Sequence, residues 1–350
     1  MNTFSLTALL EKAVEKSASD VHIVVDRQPV LRIDGRLTSL DSYPSLTPEM
    51  LKQMVDDVLS DEQQEALSAT RELGFVYELE DSSRFRINLF WEQGNLALAA
   101  RLIPSHIPTM EEIEMPPAGY DFTKTKNGLV LVTGQTGMGK STTLAAMIDH
   151  INHTRAANII TYEDPIEFVF ESDRSLIRQR QLGSDALSLK ESLKYVVRHD
   201  PDIIVIGELR DPETISMAIS LAETGHLVFS TLHTFNAPQT IHRIIDFFPS
   251  NHQEQIRLQL AITLKGIISQ QLLPRIPKGR VAAREVLVNT HAVANLIREN
   301  KIELIQSVIQ TSADVGMITM RQSLKKLSED GTISADEAMA HNETEADGLM

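Results

Sequence analysis

Residues 134–142, Gly134-Gln135-Thr136-Gly137-Met138-Gly139-Lys140-Ser141-Thr142, have the types that hold a polyphosphate. Gly134, Gly139, Lys140 and Ser141 fill every fixed place of the pattern G-x-x-x-x-G-K-[S/T]. The glycines let backbone N–H groups converge on phosphate oxygens with no Cβ in between. An apolar run at 129–132 precedes the loop and a helical pattern follows it. The loop therefore joins a strand to a helix whose N-terminus points at the anion. Lys140 has the reach for β- and γ-phosphates, and the Ser141 hydroxyl suits Mg²⁺ travelling with a nucleoside triphosphate.

Phosphate binding alone is not hydrolysis, which needs a carboxylate for the metal and one for water. Glu208 follows the apolar run IIVIG, where such strands more often end in Asp. Glu163, Asp164 and Glu167 follow the run NIITY. A single acid at a strand end is commonly a cap or turn residue, and Asp164 before Pro165 fits that role. Two acid clusters after one complete phosphate loop weaken that reading. A third cluster, TGHLVFSTLHT at 224–234, places His226 before a strand and His233 after it. A lone histidine is more often structural or surface than functional, but two flanking one strand of a nucleotide domain point toward the site. Metal ligation is the weaker use, because no third ligand stands at a suitable spacing.

The elements that must position these residues follow from periodicity. Leu6, Leu9, Leu10, Ala13 and Val14 predict an amphipathic first helix. VHIVV at 21–25 reads as a strand, and Asp34-Gly35 marks a two-residue hairpin. Residues 48–69 read as helix, and 84–90 and 96–103 as strands joined at Glu92–Asn95. Residues 104–120 hold four prolines and read as a linker with one short helix around 110–114. Beyond Gly128, short Val/Ile/Leu runs at 129–132, 158–162, 203–207 and 227–232 alternate with helices. That texture predicts a largely parallel sheet buried on both faces. From Pro249 onward the signals are mostly helical, with one strand at 281–288.

At 350 residues the chain is long enough for about two domains. It has no cysteine, which excludes disulfides, thiolate zinc sites and cysteine nucleophiles. Its net charge is −15, and seven acids with no Lys or Arg follow Lys326. Asn342 to Met350 accordingly reads as an acidic, disordered tail. The acidic balance and an aromatic content of 5% argue against a nucleic-acid translocase. The N-terminus lacks a secretory pattern, and no apolar run approaches a membrane span. These features predict a cytoplasmic chain that meets a membrane only through a partner.

Together GQTGMGKSTTLAAMI, TYEDPIEFV, DPDIIVIGELRD and TGHLVFSTLHT resemble the Walker A, Asp box, Walker B and His box of the ATPases of type II secretion and type IV pili. ASDVHIVVDRQPVLRIDG, AVANLIRENKI and GMITMRQSLKKL resemble the PilT/PilU branch, so the likeness spans all but the last residues. It implies an α/β chain: an N-terminal PAS-like α+β domain (1–103), a linker (104–120), a RecA-like P-loop ATPase core (121–290) and a helical C-terminal region (291–341). It implies phosphate and metal roles for Lys140 and Ser141 and water activation by Glu163. Glu208 would act at Mg²⁺, and His226 and His233 near the γ-phosphate and the interdomain contact. Arg84, Arg86 and Arg101 match arginines that approach nucleotide phosphates, although Arg84 and Arg86 also alternate with Phe85 and Ile87 as a strand's solvent face. Arg198 and Arg210 are looser candidates for contacts between subunits.

The resemblance further implies a homohexameric motor that hydrolyses ATP and acts on an inner-membrane pilus platform protein, with a paralogous retraction ATPase as a further partner. Assembly ATPases of the superfamily carry a tetracysteine zinc module and a longer N-terminal region. A chain without cysteine and with about 100 residues before its linker fits retraction better. Ala294 stands where the branch usually has Arg, which bears on motor coupling rather than on hydrolysis.

Overall fold

The structure is a computed structural model describing residues 5–33, 35–103 and 106–347, with backbone only over 342–347. The chain divides into two compact units, Met1–His106 and Ile107–Met350.

The first unit runs α1 (Leu6–Glu15), β1 (Asp20–Ile23), β2 (Val30–Ile33), β3 (Arg36–Ser39), α2 (Pro48–Asp56), α3 (Asp61–Thr70), β4 (Glu72–Glu78), β5 (Arg84–Glu92) and β6 (Asn95–Ile103). The expected first helix forms, capped by Ser5 accepting from the Ala8 N–H, and buries Leu6, Leu9, Leu10 and Ala13. The single helix expected over 48–69 is two, because Ser60 makes a capping box with Gln63 and starts a new one. Ile33 pairs with Arg36 as a two-residue hairpin requires; Asp34 lies outside the described residues. The antiparallel sheet has the order β3-β2-β1-β6-β5-β4. One face packs on the helices through Val21, Leu31, Phe85, Ile87, Leu89, Leu98 and Ala100. Across the other face runs a row of paired neighbours, Arg86, Arg101, Asp20 and Arg32.

The second unit contains α4 (Pro117–Lys124), β7 (Gly128–Thr133), α5 (Lys140–Thr154), β8 (Asn158–Glu163), β9 (Leu176–Gln181), α6 (Leu189–Val196), β10 (Ile203–Ile206), α7 (Pro212–Glu223) and β11 (Leu227–Leu232). Then follow α8 (Ala237–Asp246), α9 (Ser250–Thr263), β12 (Leu264–Pro274), β13 (Arg280–Val288), α10 (His291–Arg298), α11 (Ile305–Thr311), α12 (Met320–Glu329) and α13 (Ala335–Asp347). The sheet order is β13-β12-β7-β11-β10-β8-β9, parallel except for the β12–β13 pair. Its central strands β7, β10 and β11 are buried along their whole length. In β7, Leu129 and Leu131 enter one core and Val130 and Val132 the other, and Ile203 to Ile206 divide in the same way. This is an α/β fold built on a largely parallel sheet.

Several expectations are corrected. Residues 110–114 form hydrogen-bonded turns, not a helix, and the helix begins at Pro117, where a proline N-terminus costs no hydrogen bond. Much of the expected linker is core: Met110, Met115 and Ala118 are buried in the second unit. Arg284, itself buried, donates to the carbonyls of Ile113 and Glu114 and fixes that turn. The strands β4, β9 and β12 replace what reads as loop or helix in the sequence. The expected tail at 342–350 is helical as far as Asp347, and residues 348–350 lie outside the described residues.

Candidate functional site

The parallel strands end together. Thr133 pairs with Leu232, Ser230 with Ile206, and Ile206 with Tyr162. The next residues of four adjacent strands are thus Gly134, His233, Gly207-Glu208 and Glu163, which is where open α/β sheets bind ligands.

The phosphate loop is shaped from behind by β12. Gly134 has φ +148°, and a Cβ there would lie 2.5 Å from the Gln270 carbonyl oxygen. Gly139 starts α5 in the left-handed region. The buried Gln270 amide accepts from Thr143 Oγ1 (2.8 Å) and donates to the Met138 carbonyl (2.5 Å). Gln135, Thr136 and Gly137 remain exposed. Together with His233 and Phe235, Gln135 and Thr136 line a depression of about 510 Å³. Ser141 and Thr142 sit partly buried in the first turn of α5.

Lys140 is 8% exposed. Its ammonium donates to the carbonyls of Gly134 (2.7 Å) and Gln135 (3.0 Å) and to His233 Nδ1 (3.2 Å). Burial lowers its pKa, while the Glu208 and Glu167 charges oppose that. Because lysine only donates, His233 Nδ1 is an acceptor and Nε2 carries the hydrogen. His233 Nε2 then faces Glu208 Oε1 at 3.1 Å. Glu208 Oε2 accepts from Arg210 Nε at 2.8 Å, and Arg210 reaches Asp164 at 3.6 Å. A continuous polar chain thus links Lys140, His233, Glu208, Arg210 and Asp164 across three strand ends.

Glu163 closes the row. Burial raises its carboxyl above the usual range, hydrogen bonds from Thr161 and Gln179 work the other way, and the like charge of Glu167 adds to the rise. A carboxylate made more basic at a strand end beside a phosphate loop is suited to taking a proton.

The structure does not bring every expected residue here. His226 lies at the opposite end of β11, where its carbonyl accepts from the Gly128 N–H at the start of β7. Its Nδ1 donates to the Leu221 carbonyl (3.0 Å), closing the end of α7. Arg84, Arg86 and Arg101 occupy the polar face of the antiparallel sheet. Arg84 pairs with Glu78 (3.5 Å) and Arg101 with Asp20 (2.7 Å), while Arg86 is exposed. Arg198 stacks over the Tyr195 ring (5.2 Å), whereas Arg210, expected between subunits, belongs to the polar chain. Sequence reading missed Gln270, Thr143, Thr161 and Gln179, neutral residues whose roles appear only once their hydrogen-bond partners are placed. Among the described residues no three His, Cys, Asp or Glu side chains cluster as a metal cage. Ser141 and Glu208 are hard oxygen donors, which fits Mg²⁺ brought in with phosphates rather than one held by protein alone.

The family described as type II/IV secretion system protein matches residues 3–340. The chain is 42% identical over 333 residues to the type IV pilus retraction ATPase PilT of Pseudomonas aeruginosa, covering 95% of this chain and 96% of that one. It is 38% identical over 340 residues to the type IV pilus ATPase PilU of the same organism, covering 97% and 89%. Among solved structures, the pilus retraction motor PilT with bound ADP superimposes with a TM-score of 0.90 at 44% identity, covering 96% of each chain. A match of this extent, on a chain whose phosphate loop and strand-end carboxylates are in place, means that the protein belongs to the type II/IV secretion system protein family and is an ATPase.

Proposed function

We propose that this ATPase is a motor for type IV pilus retraction, working as a cytoplasmic homohexamer against an inner-membrane platform protein. The observation that carries the retraction reading is the near-full-length identity to a pilus retraction ATPase. The chemistry rests on the row of strand ends. ATP phosphates lie on the N–H groups of residues 135–142, and Lys140 leaves the Gly134 and Gln135 carbonyls for the phosphate oxygens. Ser141 and Glu208 would hold Mg²⁺, Glu208 directly or through water, and the ion would supply charge neutralisation on the phosphates. Glu163 takes a proton from a water whose oxygen bonds to the γ-phosphorus. The bond from that phosphorus to the ADP oxygen breaks, giving ADP and phosphate. His233 stands between Lys140 and Glu208 and reports on both. A paralogous ATPase shares the load.

Glu163→Gln is expected to keep ATP binding and lose turnover; wild-type turnover in that variant sinks the assignment of the base. For direction of action, a deletion strain is expected to carry excess pili that do not retract. Bald cells would instead favour an assembly or secretion ATPase, which the absence of cysteine already disfavours.

A further inference from the structure

Two side-chain donors converge on one oxygen of Glu163, and the Glu167 N–H makes a smaller contribution to the same carboxylate. Thr161 Oγ1, two residues back on β8, donates to Oε1 at 2.6 Å. Gln179 Nε2, on the edge strand β9, donates to the same Oε1 at 3.1 Å. The register explains both: Thr161 pairs directly with Gln179 and Glu163 with Gln181. The Gln179 amide is fixed in turn, since Nε2 also donates to the Phe168 carbonyl (2.8 Å) and Oε1 accepts from the Phe170 N–H (2.9 Å). Its two ends are thus assigned by their partners, and it cannot flip without losing all of these bonds.

We propose that Thr161 and Gln179 are positioning residues for the hydrolytic step, pinning Oε1 of Glu163 so that Oε2 is the oxygen offered to the attacking water. The proposal rests on the reading of Glu163 as the base. A carboxylate with free rotation about its last torsion presents either oxygen in many directions; two donors on one oxygen remove that freedom before substrate arrives. The same donors stabilise the ionised form, moderating the rise that burial and Glu167 impose. Besides Glu167 in the same loop, the charged groups at this corner are Asp164, Arg180 on β9, and Glu208 and Arg210 after β10. Arg180 is occupied by the Tyr162 ring and the Asp185 carbonyl, and Arg210 by Glu208 and Asp164.

The test is the pH dependence of ATP turnover in Thr161→Val and Gln179→Met, which keep volume and delete the donor. Both are expected to lower kcat at neutral pH by about tenfold, with KM for ATP within about twofold. The acid limb of kcat should move to higher pH in both. Gln179→Glu keeps an acceptor for the Phe170 N–H but meets Glu163 with like charge, so it should move the limb furthest; it decides the Gln179 half if the Met variant does not fold. A lower kcat with an unmoved acid limb, or a raised KM, would mean that these residues only support the loop, and would overturn the proposal. Unchanged kcat in either position would also overturn it. Glu163→Gln measured alongside separates the two failures: if it turns over ATP normally, the base has been misassigned, whereas its inactivity with unaffected Thr161 and Gln179 variants refutes positioning alone.

Discussion

The two sheets carry their charges in different places, and the reason is how many of their faces are dry. The antiparallel sheet of the first unit packs on helices from one side only. Its arginines can alternate with core residues along a strand, as Arg84 and Arg86 do with Phe85 and Ile87. In the parallel sheet of the second unit the central strands β7, β10 and β11 are covered on both faces, so nearly every position along them is apolar. Its polar chemistry is forced to the ends, where Gly134, Glu163, Glu208 and His233 meet. Charges on the face are held in separate pairs; those at the strand ends join in one chain, Lys140, His233, Glu208, Arg210 and Asp164, beside the phosphate loop. Substitutions should therefore be severe at the ends and mild on the face.

The largest effect belongs to Lys140. Its ammonium is buried and holds three acceptors at once, so Lys140→Ala should lower ATP turnover by about a thousandfold, in the range of deleting a preorganised charge from a transition state. The chain should stay folded, because the core lies away from the loop. Steady-state hydrolysis with a melting curve checks both, and a tenfold loss or less would erase the contrast between ends and face.

Next comes the pH profile of the intact protein. Glu163 acts as a base only when ionised, and burial raises its pKa. The acid limb of kcat should lie above the ordinary carboxylate range of about 4, with turnover falling about tenfold per pH unit below it. A limb at or below the ordinary value would show that another group limits the rate.

Legibility followed the same division. The strands at 129–132, 158–162, 203–207 and 227–232 were readable because a short, continuous Val/Ile/Leu run between turns and helices suits a strand dry on both faces and little else. The four motifs were readable because they follow those runs directly. The strand β12 was not: LKGIISQQLLP has polar Ser269 and Gln270 in its middle, and these are buried because they bond to Thr133 and Thr143, more than a hundred residues earlier. Gln179 on β9 was invisible for a related reason, since its partner Glu163 belongs to the neighbouring strand. The prolines of 104–120 point to a linker, yet Met110 and Met115 enter a core contributed by distant strands. His226 matched the His box by sequence, yet the length of β11 separates it from the phosphate loop.

On the wet face the expected effects are small. Burial pushes the Asp20 carboxyl up, but hydrogen bonds from Arg101 and Ser19 outweigh this and leave its pKa below the ordinary value. A lowered acid contributes stability that is present above its unfolded value and is lost as pH falls through the folded one. Arg101→Ala should cost about 1 kcal/mol at neutral pH, since the arginine side is well exposed. The cost should shrink as pH falls below the ordinary aspartate value of about 4 and on through the lower folded one, where Asp20 takes up its proton in the native state as well. Denaturant unfolding at pH 7 and pH 3 measures this, and an equal cost at both would mean that Arg101 stabilises by packing rather than by charge.

The smallest effect sharpens the comparison within a single strand. His226 and His233 flank β11, and both looked catalytic from sequence. His233 touches Lys140 and Glu208, so His233→Ala breaks the polar chain and should lower turnover by about tenfold or more. His226 donates to the Leu221 carbonyl, one of the carbonyls that α7 leaves unpaired at its C-terminal end. Its loss removes one partly exposed hydrogen bond, worth about 1 kcal/mol of stability. The strand between the two ends is locked into β7 and β10 along its length, so a defect at one end has no soft path to the other. His226→Ala should hydrolyse ATP within about threefold of wild type, far from the loss expected of a group that stabilises the transition state. Turnover measured on both variants at matched folded concentration decides it: an equal loss in the two would mean that the ends of this sheet are coupled through the strand and that its rigidity has been overestimated.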